Sequence, residues 1–264
     1  MNSQPLRTGN WQLTTDNGSR RLEGRPAATR NAAVDSGAPS PRARKWRLRH
    51  NSEPAEGVAR ERASAGSARM AAVLLAAGRS QRIAPLQKLL LPLCGQPLVR
   101  WAAQNLAESG LTDLVVVIGP DGGPIRAALR GLGARFAENP DPSAGIGTSI
   151  AAGVAALGTE TRGVAVALGD MPRVSADTVR ALARAFEEGG KGIAVPVFAG
   201  RRGHPVIFDL GRYRADLTFL SGDRGARGVL DANPRDVCEV TVADPGIHLD
   251  IDTAEDYERA RCAP

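Results

Sequence analysis

The chain has 264 residues, enough for one large domain or two small ones. Hydrophobic residues make up 42% of it but only ten are Phe, Trp or Tyr, so its core must be aliphatic. The formal net charge is +6, yet residues 1–69 hold thirteen Lys and Arg against six Asp and Glu, whereas residues 70–264 hold twenty-one against twenty-two. Because the positive charge is confined to the first quarter, we expect no nucleic-acid partner.

Residues 1–69 are rich in Arg, Ala, Ser, Gly and Pro and show no sustained period of 2 or 3.6. Such a segment buries too little apolar surface to offset its ordering entropy, which predicts a disordered basic extension. The run Arg42–His50 surrounds a Trp with basic residues and suits either an acidic partner or a solvated tail. Met70 directly precedes the first predicted strand, so it is also a candidate natural start, with residues 1–69 upstream of the working protein.

From Met70 onward, predicted strands alternate with predicted helices. The strands are continuous apolar runs, typical of strands buried on both faces. The helices show apolar spacing and capping signals, such as Ser175 and the pair Thr253 and Asp256. The predicted strands are 70–77, 113–119, 134–138, 163–168, 192–198, 204–208 and 237–242. The predicted helices are 96–110, 124–130, 148–157, 175–188, 223–230 and a last one after Thr253.

This alternation predicts an α/β protein, a Rossmann-like three-layer α/β/α sandwich with a mostly parallel sheet. Ligands of such sheets bind outside the carboxyl ends of the strands. No apolar run is long enough to span a bilayer, and the first twenty residues lack a signal-peptide core. The three cysteines form no CxxC pair or Cys/His cluster, so neither a disulfide framework nor a zinc site is expected. These features predict a cytoplasmic protein without a membrane partner.

The loop after the first strand joins a glycine turn to two fixed positive charges. Gly78 follows the strand, and Arg82 and Lys88 follow within the same loop. Backbone N–H groups of such a turn, together with cations, suit a polyphosphate. The loop matches neither the P-loop nor the GxGxxG pattern, and an ordinary structural turn is the alternative.

Later loops carry hydroxyls and carboxylates. Gly147 and Ser149 begin a predicted helix, where they suit an anion or a base edge, or serve as an ordinary N-cap. Asp170 follows a buried strand on a glycine turn, and Asp250 alternates with Asp252 late in the chain. Such carboxylates can hold Mg²⁺ against phosphate oxygens, and helix or turn capping is the alternative.

Two polar turns complete the candidate site. His204 lies in the run GRRGHP and suits an acid/base group, a ligand or a substrate clamp, with a structural histidine as the alternative. Asp223 lies in the run LSGDRGAR, which packs three charges and two glycines together. That run suits either an acidic substrate or a solvated loop.

Together these motifs resemble the nucleotidyltransferase superfamily with the MobA-like fold, and more closely its molybdenum cofactor cytidylyltransferase branch. The motifs are the LAAG loop with Arg82 and Lys88, then GDMP, RRGHPV, SGDRGAR and DIDTAEDY. The resemblance covers about residues 70–262 in matching order and approximate spacing. It implies a nucleotide-diphospho-sugar transferase-like fold and a MobA-like domain over residues 70–264.

The resemblance also implies roles for individual residues. The nucleotide-binding residues are Leu75, Ala76, Ala77, Gly78, Arg79, Ser80, Arg82, Lys88, Gly147, Ser149 and Asp170. Among these, Arg82, Lys88 and Asp170 are the expected catalytic residues. Asp170 and Asp250 are the expected Mg²⁺ ligands, with Asp252 as the next candidate. His204 and Asp223 are expected to face a pterin-type acceptor. Ile83-Ala84 stands where the family has Met-Gly, and an alanine narrows the φ range of that loop.

The implied reaction transfers CMP from CTP to molybdopterin and releases pyrophosphate, with a molybdenum hydroxylase as a client. Guanylyl-transferring relatives carry LAGG where this chain has LAAG, so the extra methyl group of Ala77 favours CTP over other nucleoside triphosphates. One alternative is an NAD(P)H-linked oxidoreductase of the nicotine-blue type, although the sequence shows no dinucleotide fingerprint. Another is a non-catalytic nucleotide-binding accessory protein for hydroxylase maturation.

Overall fold

The computed structural model describes residues 11–16, 19–24, 69–78 and 87–262. The chain divides into two compact units, residues 1–52 and 53–264. In the first unit, β1 (Trp11–Asp16) pairs antiparallel with β2 (Ser19–Gly24). The sequence-based interpretation predicts no strands over these residues, because the alternation of Trp11 and Leu13 is too brief to be read as a strand period. The rest of the predicted extension lies outside the described residues and stays a prediction.

The second unit carries the remaining elements. Its strands are β3 (Met70–Ala76), β4 (Pro92–Leu93), β5 (Gln96–Pro97), β6 (Asp113–Ile118), β7 (Arg135–Glu138), β8 (Gly163–Leu168), β9 (Ile193–Phe198), β10 (Arg201–Arg202), β11 (Val206–Asp209) and β12 (Val237–Thr241). Its helices are α1 (Leu98–Glu108), α2 (Gly123–Ala128), α3 (Ile146–Ala155), α4 (Ala176–Glu188), α5 (Leu210–Thr218), α6 (Arg227–Ala232) and α7 (Ala254–Cys262).

Eight strands form one sheet in the order β10-β9-β11-β8-β3-β6-β7, and β12 pairs with β9. The pairs β3–β6, β3–β8, β6–β7 and β9–β12 are parallel, whereas β11 runs antiparallel to β8 and to β9. The sheet is therefore mixed and mostly parallel. The predicted fold class is confirmed.

Side chains of β3 alternate between two cores, which places helices on both faces of the sheet. Val73 and Leu75 pack in one core with residues of α3 and α5, and Leu74 packs in the other with residues of α1 and α4. Gly153 of α3 lets the helix approach the sheet closely, since a Cβ there would lie 2.3 Å from Val73 Cγ1. The result is the three-layer α/β/α sandwich.

Two elements after β11 differ from the sequence-based prediction. Helix α5 is not predicted, although its buried residues Leu210, Tyr213 and Leu217 have helical spacing, because it follows β11 without a break. A helix is predicted over 223–230, but α6 begins only at Arg227. Gly225 has φ +53°, which a right-handed helix excludes, so residues 223–226 form turns instead.

Candidate active site

The central strands β3 and β8 are parallel neighbours, with Leu75 opposite Leu168, so their carboxyl ends meet at one edge of the sheet. The turn Gly169-Asp170 follows β8 at this edge, and the Gly169 N–H donates to the Leu75 carbonyl. A Cβ at residue 169 would lie 2.9 Å from that carbonyl oxygen. The glycine therefore allows Asp170 to sit directly beside the end of β3.

Lys88 joins two carboxylates at this edge. Its Nζ donates to Asp170 Oδ2 at 2.8 Å and to Asp252 Oδ1 at 2.6 Å. The Lys88 side chain is 12% exposed, compared with 23% for Asp170 and 39% for Asp252. Burial lowers the pKa of Lys88, but the two carboxylates raise it more, so its net pKa lies above the usual value. Lys88 is therefore a charged ammonium held between two anions; we call these three residues the lysine cluster.

Asp250 and Asp252 lie near the lysine cluster, on either side of the buried Ile251. The Ile251 N–H donates to the Asp170 carbonyl at 3.0 Å, which fixes this segment beside the turn. Asp252 contacts Lys88, whereas Asp250 does not. Burial raises the pKa of Asp250, and the negative charges of Asp252 and Asp170 raise it further. Of the two late carboxylates, Asp252 therefore forms the ion pair with Lys88, and Asp250 adds its negative charge near Asp252 and Asp170.

One acceptor atom of the lysine cluster has no hydrogen-bond partner among the described residues. Asp170 Oδ1 is buried and has no hydrogen-bond partner in the described part of the chain. Carboxylate oxygens of this kind are the ligands that hard divalent cations prefer. Among the described residues, no three His, Cys, Asp or Glu side chains are already arranged as a metal site. The donor set fits a divalent cation in its chemistry, and a lysine ammonium occupies the place between two of the carboxylates.

The predicted phosphate loop is described only at its two ends. Leu75, Ala76 and Ala77 are buried and Gly78 is exposed where β3 ends. Lys88 lies at the far end of the loop, in the cluster. Arg79, Ser80 and Arg82 lie outside the described residues, so their expected contacts with a nucleotide stay predictions.

The start of α3 shows structural uses for the residues expected to bind nucleotide. The Gly147 N–H donates to the Gly222 carbonyl at 3.0 Å, and a Cβ on Gly147 would lie 2.7 Å from the Ser221 nitrogen. Ser149 Oγ accepts from the buried Asn139 Nδ2 at 2.9 Å. Gly147 therefore packs against Ser221 and Gly222, and Ser149 holds Asn139. The nucleotide contacts of both residues stay predictions.

Two residues that sequence reasoning missed hold the turn after β8 in place. Asn105 of α1 donates through Nδ2 to the carbonyls of Pro172 and Val174, at 3.2 Å and 2.7 Å.

Asp244 accepts from the Ser175 N–H at 2.9 Å, and also from the Thr178 hydroxyl and the Gly246 N–H. Burial raises the pKa of Asp244, but these donors lower it to below its usual value. An Asp-Pro-Gly turn was the available signal for Asp244, whereas Asn105 had none.

A cavity of about 820 Å³ opens beside the ends of β3 and β8. Its size is within the range of about 300–1,000 Å³ that small-molecule sites occupy. His204 and Asp223 both line it, so the structure brings together the two residues expected to face the acceptor. Its apolar lining comes from the sheet, α3, α6 and the residue before α6, namely Leu75, Ile146, Ile150, Val166, Leu168, Val195, Val206, Phe208, Ala226 and Leu230.

His204 is a neutral polar group in this cavity. Burial lowers its pKa, and the nearby negative charge of Asp170 offsets only part of that decrease. Its Nδ1 is buried without a hydrogen-bond partner among the described residues. Its backbone N–H donates to the Ile247 carbonyl at 3.2 Å, which anchors the segment to the C-terminal part of the site. A ring nitrogen without a partner, on a residue that lines a cavity, can donate to or accept from a group that comes within reach.

Comparisons with known proteins agree with this architecture. Residues 72–237 match the family model described as the MobA-like NTP transferase domain. Nicotine blue oxidoreductase from Paenarthrobacter nicotinovorans is 34% identical over 194 residues, which cover 71% of this chain and 94% of that protein. None of the helices in the described residues combines the length and apolarity needed to cross a membrane.

Solved structures give the same picture. Rv0371c from Mycobacterium tuberculosis H37Rv, crystallised in complex with manganese, is 28% identical with a TM-score of 0.62, over 74% of this chain and all of that one (100%). A nucleotidyl transferase from Methanothermobacter thermautotrophicus is 27% identical with a TM-score of 0.63, over 73% and 95% of the two chains. The chain therefore belongs to the MobA-like NTP transferase family and is an enzyme of the nucleotidyltransferase class.

Proposed function

We propose that this enzyme transfers CMP from CTP to the phosphate of molybdopterin, in a reaction that needs a divalent cation such as Mg²⁺. An oxygen of the acceptor phosphate attacks the α-phosphorus of CTP and forms the new P–O bond. The bond from that phosphorus to the bridging oxygen breaks, and pyrophosphate leaves with its electron pair. A molybdenum hydroxylase that takes the finished cofactor is the proposed client.

The observation that carries the proposal is the position of the lysine cluster beside the cavity. Leu75 and Leu168 line the cavity, and the chain continues from β8 through Gly169 to Asp170. A nucleotide held at the loop after β3 and an acceptor held in the cavity would therefore meet at this edge. Such a site works mainly by positioning two substrates and stabilising developing charge.

The chain's own residues have distinct proposed tasks. Asp170 Oδ1 and Asp250 would hold the divalent cation, which when bound supplies positive charge to the phosphate oxygens. Lys88 is charged and close enough to the same edge to neutralise the leaving pyrophosphate. Arg82 would add a second positive charge to that task. His204, neutral and facing the cavity, would hydrogen-bond to the acceptor, as would Asp223.

The choice of CTP rests on Ala77. This residue is buried at the end of β3, where guanylyl-transferring relatives in the resemblance have glycine. Its methyl would fill space that a purine needs. One methyl group supplies about 10–200-fold discrimination, so we expect a preference for CTP and residual use of other nucleotides.

A second candidate function is favoured by one specific observation. The relative that spans nearly the whole domain is named for oxidoreductase activity on nicotine blue, at 34% identity. An NAD(P)H-linked reaction would use the same cavity for a flat substrate. It would have no use for the open carboxylate oxygen on Asp170.

The test is a thermal-shift and turnover experiment on the full chain. The nucleotides are CTP, GTP, ATP, UTP, NADH and NADPH, each with and without Mg²⁺. A ligand at about 100 times its Kd adds about 2.7 kcal/mol to the free energy of unfolding, which is readily detected. We expect a Mg²⁺-dependent shift that is larger with CTP than with GTP, and pyrophosphate release when molybdopterin is added. A shift with NADPH and none with any nucleoside triphosphate would overturn the proposal in favour of the oxidoreductase.

A further inference from the structure

Three arginines line the cavity, and their ion pairs differ. Arg202 Nε donates to Glu239 at 2.7 Å, and Arg224 Nη2 donates to Asp231 at 3.1 Å. The Arg227 guanidinium forms no ion pair or hydrogen bond with any of the described residues. Of these three positive charges, the one on Arg227 is therefore not neutralised by a neighbouring side chain.

The backbone that presents Arg227 is fixed against α3. The Gly222 N–H donates to the Ala144 carbonyl at 2.9 Å, and the Gly222 carbonyl accepts from Gly147. Gly225 packs on α3, since a Cβ there would lie 3.0 Å from Ile146 Cγ2. The Arg227 N–H closes the turn on the Arg224 carbonyl at 3.2 Å. These contacts fix the backbone that carries the Arg227 side chain on the cavity wall.

The chemistry around Arg227 combines this charge with an apolar surface. Ala226 precedes Arg227, Leu230 follows one helical turn later, and both line the same cavity together with sheet residues such as Val166. Asp223 is the other unpaired charge of this wall among the described residues, and it can accept N–H donors but repels anions. A guanidinium binds phosphate and carboxylate groups through paired N–H donors. The wall thus matches a flat ring that carries one anionic group.

Resting on the proposed function, we infer that Arg227 determines acceptor specificity by binding the anionic group of the acceptor while the ring of the acceptor lies on the apolar wall. The anionic group is a phosphate monoester or a carboxylate, which a guanidinium binds alike. Neutral acceptors of the same shape would lack this contact. Arg227 is a binding residue in this inference, and the bonds that form and break remain those of the proposed transfer.

The test uses two fluorescent probes of equal ring shape. Pterin-6-carboxylate carries the anionic group and pterin does not, so the ratio of their dissociation constants measures recognition of the charge. We expect the unmodified protein to bind pterin-6-carboxylate about tenfold more tightly than pterin, as one charge-assisted contact at an exposed position provides. A phosphate-bearing pterin, compared in the same way, distinguishes a phosphate preference from a carboxylate one.

The matched variants are Arg227→Gln, Arg227→Lys and Arg224→Gln. Arg224→Gln removes the same charge from the same wall, but from a residue that is already paired. We expect Arg227→Gln to abolish the preference, Arg227→Lys to restore part of it, and Arg224→Gln to change it by less than about twofold. Thermal unfolding of each variant reports whether it is folded.

Two outcomes would overturn the inference: an unchanged preference in Arg227→Gln, or no preference in the unmodified protein. CTP binding is measured on the same samples by thermal shift. If the unmodified protein does not bind CTP, the proposed function is contradicted. If Arg227→Gln binds CTP normally and still prefers pterin-6-carboxylate over pterin, only the role of Arg227 is contradicted. The two failures are therefore distinguishable.

Discussion

Two charged clusters lie at opposite edges of the same sheet. The lysine cluster lies at the carboxyl ends of β3 and β8. The second cluster, which we call the tyrosine cluster, consists of Arg212, Tyr213 and Asp236 and lies at the amino ends of β9 and β12. Each joins distant parts of the chain through short hydrogen bonds, so charge and proximity alone do not separate them.

The difference lies in the acceptor atoms. Asp236 Oδ1 accepts from the Gly192 N–H at 3.0 Å and from Arg212 at 2.7 Å, and Oδ2 accepts from the Tyr213 hydroxyl. Both oxygens are therefore satisfied, whereas the buried Asp170 Oδ1 has no partner in the described residues. A buried acceptor without a partner costs free energy, so it marks a site for a ligand rather than a structural joint.

Asp170→Asn gives the strongest test of this contrast. The amide keeps the shape but loses the charge that a divalent cation and Lys88 require. We expect turnover to fall by about 10²–10³-fold, the typical effect of removing one electrostatic group from a transfer site. Steady-state pyrophosphate release measures it. Asp236→Asn is the control and should leave turnover within about twofold; equal losses in both variants would contradict the functional distinction.

Asp236→Ala tests the structural role of the tyrosine cluster through stability instead of turnover. It leaves the Gly192 N–H and the Tyr213 hydroxyl without their acceptor, and we expect it to lower the free energy of unfolding by about 1–3 kcal/mol. For a domain of this size each kcal/mol corresponds to about 2–4 °C in Tm. Calorimetry checks the shift. A variant as stable as the original protein would show that the tyrosine cluster is not a structural joint.

Lys88→Met sharpens the comparison by removing the ammonium from between its carboxylates. We expect Mn²⁺ to bind the nucleotide-free variant at least about tenfold more tightly, because a positive charge near the carboxylates is lost. CTP binding should weaken in the same variant. The free Mn²⁺ signal in electron paramagnetic resonance gives the affinity. Arg212→Met is the control in the tyrosine cluster, and a similar gain there would refute the idea that only one cluster is open to a cation.

The pH dependence of stability separates the two edges of the sheet. Burial lowers the pKa of His204, so its protonation opposes folding and stability should fall as the pH decreases below about 6.5. Burial raises the pKa of Asp236, but its donors lower it more, so the stability that Asp236 provides is lost only below about pH 4. Denaturant unfolding across this range should show both decreases. His204→Gln should remove the first and Asp236→Asn should reduce the second.

Much of the sheet could be predicted because each central strand is buried on both faces. Such a strand needs an unbroken apolar run, and Gly163–Leu168 is both predicted and observed with the same bounds. The capping hydrogen bonds of Ser175 and of Thr253 with Asp256 were equally readable, since they connect residues three apart. Helix α5 was missed because its apolar spacing is short and follows a strand directly.

The candidate site was only partly predictable. Local pattern and strand order sufficed for the α/β class and for the carboxyl-edge position of Asp170. The grouping of His204 and Asp223 followed from the family resemblance of their motifs. The packing of the loops settles two further points: Asp252 rather than Asp250 pairs with Lys88, and the Gly147 N–H donates to the Gly222 carbonyl. Those contacts join residues far apart in the chain, and their geometry depends on how separate loops pack, which no local pattern encodes.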